Sequence, residues 1–99
     1  MKYRHYAPDV ELVVIEGSPN KIGQKISDLV NDYRKEGKKT AILGLGSQNP
    51  DVAAKELFKQ LRTLEKSVDV IIVEGLPEAG VGLAVMNRLR KAASKLIKV

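Results

Sequence analysis

The 99 residues carry 17 Lys and Arg against 12 Asp and Glu, one His, no Cys and no Trp. That length allows one small domain with a modest core, and the lack of cysteine excludes a disulfide scaffold, cysteine-ligated zinc and thiol catalysis. No apolar run approaches the roughly 20 residues of a membrane span, and MKYRHYAP lacks the apolar stretch of a signal peptide, so a soluble, cytoplasmic protein is expected.

Met1–Pro8 holds Lys2 and Arg4 and no acid, with Tyr3, His5 and Tyr6 interleaved. Alternating aromatic and cationic groups suit a nucleotide or polyphosphate, through stacking and charge. A chain end that carries these residues incidentally is the other reading. Glu11–Glu16 (ELVVIE) is a continuous apolar run, the pattern of a strand covered on both faces. Ser18 and Pro19 read as the cap and first residue of a helix, because Ser can bond the free amides and Pro has none to waste. Ile22, Ile26, Leu29, Val30 and Tyr33 follow at helical spacing, and Gly37 suits the left-handed residue that closes a helix.

Thr40–Leu45 (TAILGL) reads as a second strand, followed by the glycine-rich Gly44-Leu45-Gly46-Ser47. Asn49-Pro50 repeats the helix-start signal. Ala53, Leu57, Leu61 and Leu64 form the stripe of a second helix, with Phe58 beside it. Val68–Glu74 (VDVIIVE) is another Val/Ile run, and Gly75–Gly82 is the second glycine-rich loop. A third helix starts near Gly82, with Val85, Met86, Leu89, Ala92, Ala93 and Leu96 on its apolar side. Arg88, Lys91, Lys95 and Lys98 fall opposite. Residues 79–99 contain no acid, whereas residues 9–78 hold every Asp and Glu of the chain. Such asymmetry marks either an anionic partner, with tRNA contact through Arg88, Lys91 and Lys95, or a solvated helix face. Ile97–Val99 reads as a frayed tail in preference to a further strand.

Strand and helix thus alternate three times, which implies parallel strands joined by right-handed crossovers. The expected fold is an α/β three-layer sandwich, Rossmann-like or flavodoxin-like, with a small, mainly parallel sheet of about three strands in the order 2-1-3. Strands one and three end alike, as Ile15-Glu16-Gly17 and Val73-Glu74-Gly75. In that order their ends flank the switch point where open α/β sheets bind ligands, so Glu16, Gly17, Glu74 and Gly75 form a candidate ligand crevice. The alternative is that each carboxylate faces the next helix N-terminus and each glycine serves only a turn. Neither glycine-rich loop is a Walker loop or completes G-x-G-x-x-G in a convincing frame, so a small nucleotide-binding domain stays a secondary reading. His5 is the single histidine and no G-x-S-x-G elbow is present. Autonomous catalysis and a His-based metal site are therefore not expected.

MKYRHYAP followed by a Val-rich strand resembles the interdomain linker of the two-domain L-threonylcarbamoyladenylate synthases. Glu74–Ala93 (EGLPEAGVGLAVMNRLRKAA) is similar to the signature of their C-terminal domain, and the central helix with Ala54, Leu57, Phe58 and Leu61 is similar too. The resemblance implies a linker over residues 1–10 and a C-terminal accessory α/β domain over 11–99. It implies a family that makes threonylcarbamoyl-AMP from threonine, bicarbonate and ATP, the first step towards threonylcarbamoyladenosine in tRNA. Catalysis then belongs to a separate N-terminal catalytic domain, the partner of this one. The linker positions Lys2, Tyr3, Arg4, His5 and Tyr6 would cover the nucleotide site as a lid, while Asn87 and Arg88 match the signature without a catalytic role. Compared with the family pattern, the catalytic domain is missing and the segment after the second strand is short. A small sheet with an exposed edge favours self-association as a homodimer.

Overall fold

The computed structural model describes residues 10–44, 50–75 and 81–99. Their order is β1 (Glu11–Glu16), α1 (Pro19–Lys35), β2 (Thr40–Gly44), α2 (Pro50–Leu64), β3 (Val70–Glu74), α3 (Val81–Ala92) and β4 (Lys95–Lys98). The strands form one parallel sheet in the order β2-β3-β1-β4. The expected α/β sandwich is present, with two corrections. The sheet has four strands, and β3, not β1, lies beside β2.

Burial explains the order. Leu12–Ile15 and Val70–Val73 are all buried, as central strands must be, whereas in β2 Leu43 is buried, Thr40 and Ala41 are partly buried and Ile42 is half exposed. A strand with Thr, Ala and Gly in three of its five places has too little apolar surface to fill two faces, so it takes the edge. The two Val/Ile runs pair with each other, Leu12 beside Ile71 and Val14 beside Val73. The fourth strand is the other correction. α3 ends at Ala92, and Lys95–Lys98 runs beside β1 as a short, mostly exposed edge strand, not a frayed tail. Leu96, Lys95 and Lys98 therefore belong to a strand and not to the third helix. Ser94 anchors this turn: its amide donates to the Leu12 carbonyl at 2.8 Å, and its hydroxyl accepts from the Leu12 amide at 3.1 Å.

Successive residues of a strand point to opposite faces, which divides the core in two. Val13, Ile15, Val70 and Ile72 pack against Ile22 and Tyr33 of α1. Leu12, Val14, Ile71 and Val73 pack against Leu57 and Leu61 of α2 and Met86 and Leu89 of α3. Each fully buried Val, Leu or Ile stabilises the fold by roughly 1.5–3 kcal/mol. The α1 termini follow the sequence signals closely. Pro19 opens the helix after Ser18, although the Ser18 side chain makes no capping bond. At the other end Gly37 has a φ of 79°. Its amide donates to the Arg34 carbonyl, and the Lys38 amide reaches back to the Tyr33 carbonyl, both at 3.0 Å, closing a Schellman motif.

Candidate functional site

Crossover direction locates the switch point. β1 is followed by α1 on one face of the sheet and the adjacent β3 by α3 on the other, which places the switch point between them. Glu16, Gly17, Glu74 and Gly75 are brought together there, as the sequence pattern suggested, even though the strand order differs.

The crevice between them is occupied by the protein's own groups. Arg90 of α3 grips Glu16 with two bonds, Nη2 to Oε1 at 2.7 Å and Nε to Oε2 at 3.0 Å. Asn87, one helical turn earlier, accepts from Arg90 Nη1 at 3.3 Å and orients the guanidinium. The Gly75 amide donates to the Ile15 carbonyl at 2.9 Å, and a side chain at Gly75 would press on Ile15, Glu16 and Met86. Val99 closes the other side: its amide donates to the Glu16 carbonyl at 2.8 Å, and its carbonyl lies where a Gly17 side chain would project. Glu74 is half-buried at the rim.

The hydrogen bonds from Arg90 hold the Glu16 carboxyl below its usual pKa, with burial opposing and the Arg90 charge assisting. A carboxylate depressed in the folded state stabilises the fold above its unfolded pKa and loses that contribution as pH falls through the folded value. The stability difference between wild type and Glu16→Gln is therefore expected to be constant from neutrality to about pH 4.5 and to shrink below it. Urea unfolding across pH 3–7 measures this, and a difference that grows on acidification would contradict the pairing.

A second polar cluster ties the opposite end of β1 to α1 and β4. The Tyr33 hydroxyl donates to Glu11 Oε2 at 2.7 Å, and Lys95 Nζ lies 3.1 Å from the same oxygen. The Tyr33 bond is the main reason the Glu11 carboxyl titrates below its ordinary value, and burial is the main reason the Tyr33 phenol titrates above its own. Sequence reasoning missed both Arg90 and this cluster. Glu11 and Glu16 bracket an otherwise apolar strand, which was the available hint that each needs a cation or donor.

The remaining predicted residues separate. Arg88 lies over the Phe58 ring, 4.3 Å from its centroid, on the α2–α3 side, and Lys91 is exposed on the same helix. Lys95 is paired with Glu11 on the α1 side of the sheet. Arg88 and Lys95 thus lie on opposite faces of the sheet. Lys2, Tyr3, Arg4, His5 and Tyr6 lie outside the described residues, as do Gly46, Ser47 and the loop after Gly75. Among the described residues no group of three or more His, Cys, Asp or Glu gathers as for a metal ion, and no helix is long and apolar enough to cross a membrane.

Residues 1–94 match the family described as threonylcarbamoyl-AMP synthase, C-terminal domain. The chain belongs to that family. A threonylcarbamoyl-AMP synthase of Pyrococcus abyssi is 47% identical over 111 aligned positions, covering all of this chain and 33% of the relative. One from Bacillus subtilis is 40% identical, covering 94% of this chain and 31% of the relative. The chain thus spans about a third of the length of the curated relatives it matches. Among solved structures, P. abyssi Sua5 complexed with L-threonine superposes over the whole chain and 33% of its own, with a TM-score of 0.88 at 46% identity. The C-terminal Sua5 domain from Pyrococcus horikoshii superposes over 94% of this chain and all of its own, with a TM-score of 0.76 at 39% identity.

Proposed function

We propose that this domain is the non-catalytic accessory unit of a threonylcarbamoyl-AMP synthase, acting in threonylcarbamoyladenosine formation on tRNA in the cytoplasm. The observation that carries this reading is the crevice at the sheet's switch point. Arg90, Val99 and the β1 backbone fill the place where an α/β domain would ordinarily take a ligand. Chemistry on ATP, threonine and bicarbonate then belongs to the catalytic domain that makes up the rest of such enzymes. The sandwich serves as a firm base from which residues 1–10 extend as a linker, with Lys2, Tyr3, Arg4, His5 and Tyr6 laid over the nucleotide site as a lid. A solved P. abyssi Sua5 variant in which an adjacent His-Tyr pair is replaced by alanine directs attention to His5-Tyr6 here.

In the full-length enzyme, alanine at both His5 and Tyr6 is expected to lower threonine-dependent pyrophosphate release by about tenfold, roughly 1.4 kcal/mol of lost closure. The thermal stability of the protein should not change. A rate within about twofold of wild type would reject the lid. A tRNA contact through Arg88, Lys91 and Lys95 is the alternative, with Lys95 already paired with Glu11. Binding that loses its salt dependence when Arg88 and Lys91 are made neutral would support it.

A further inference from the structure

We infer that the outer edge of β2 is a docking surface for a second copy of this chain, forming one continuous sheet across a twofold axis at Ile42. Among the described residues no strand lies beyond β2. Ile42, at its centre, is 50% exposed. Beside it, Ala41, Leu43 and Leu64 line a groove of about 310 Å³ bordered by Glu56, Lys59, Gln60 and Thr63 of α2.

The two sheet edges are guarded differently. β4 reads KLIK, with a lysine at each end, the usual charge defence of an edge strand. β2 reads TAILG, carries no charge or proline, and keeps an unbroken register with β3. The relative from P. abyssi aligns over 111 positions against 99 residues here, so it has chain with no counterpart in this protein.

Register makes the edge self-complementary. The Lys39 carbonyl accepts from the Val70 amide at 3.1 Å and so faces β3. By the alternation of a parallel ladder Ala41 and Leu43 face β3 as well, and the amides and carbonyls of Thr40, Ile42 and Gly44 point outward. Antiparallel pairing about Ile42 sets Ile42 against its own copy and Thr40 against Gly44, and each such pair can exchange both backbone bonds. The two Ile42 side chains then cover one another on the α1 side, where each copy alone leaves its own half exposed. Charge agrees with this orientation. Lys38 and Lys39 of the two copies go to opposite ends of the junction. On the other face a twofold axis normal to the sheet makes the two α2 helices run antiparallel. Parallel pairing would stack lysine on lysine.

Sedimentation velocity on the 99-residue chain at tens of micromolar is expected to show a dimer. Ile42→Lys should convert it to a monomer with an unchanged circular dichroism spectrum, while Leu96→Lys on the β4 edge should leave it dimeric. In hydrogen exchange, dilution should release the amides of Thr40, Ile42 and Gly44 but not those of Ala41 and Leu43. A monomer at every concentration up to about 1 mM, or a dimer abolished by Leu96→Lys and not by Ile42→Lys, would overturn the assignment.

Discussion

Ile71→Ala is expected to cost about 2–5 kcal/mol of folding stability, the usual range for such a truncation in a closed core. Ile71 is fully buried at the middle of β3, between Leu12 of β1 and Ala41 of β2 in the register. Above it lie Leu57, Leu61, Met86 and Leu89. Its neighbour on one side is already alanine, so no adjacent side chain can swing in to fill the space. A small domain holds about 5–15 kcal/mol in total, so the variant should sit near the limit of stability. Ile71→Val should lose only about 0.5–1.5 kcal/mol. Urea denaturation of the pair measures both values, and a loss below about 1 kcal/mol for the alanine variant would mean that β3 is not central.

Gly17→Ala is the second large effect. Gly17 has a φ of 143°, a conformation that an L side chain rarely adopts, and a methyl group there would overlap the Val99 carbonyl. Backbone strain alone costs of order 1–3 kcal/mol. The overlap adds to it by forcing Val99 away from Glu16 and loosening the end of β4. The expected result is a loss of about 2 kcal/mol or more, with faster amide exchange at Ile97 and Val99. Gly37→Ala is the matched control. It has a φ of 79° but open space around it, so it should lose only about 1–2 kcal/mol and leave β4 protected. Equal losses and equal exchange in the two variants would show that Val99 does not press on Gly17.

The elements were largely legible because single-residue physics writes them. Glu11–Glu16 could be bounded from its own composition, and Ser18-Pro19 and Gly37 mark the ends of α1 by local chemistry. Strand order was not legible in the same way, because it depends on which runs share a neighbour. Its signal was present all the same: Val70–Val73 is as uniformly apolar as Leu12–Ile15, and both cannot be matched to a central place unless they adjoin. β4 was hidden because a lysine at each end resembles the basic helix before it. At the candidate crevice, the pairing of strand ends was readable from Glu-Gly repeated at two termini. The closure by Arg90 was not, since Arg90 looks like any other cation until α3 is laid across the sheet.

The place of β1 in the sheet has a consequence for the time course of folding. Its first partner begins at Val70 and its second at Lys95. A strand emerging early from the ribosome therefore waits for most of the domain before it makes a single ladder bond. Closing such long loops costs chain entropy before any contact is gained, which slows folding relative to helical proteins of similar size. Until β3 and β4 arrive, the run from Leu12 to Ile15 is an exposed apolar segment. An assembly line that makes a separate domain upstream would have that domain folded while β1 still stands unpaired.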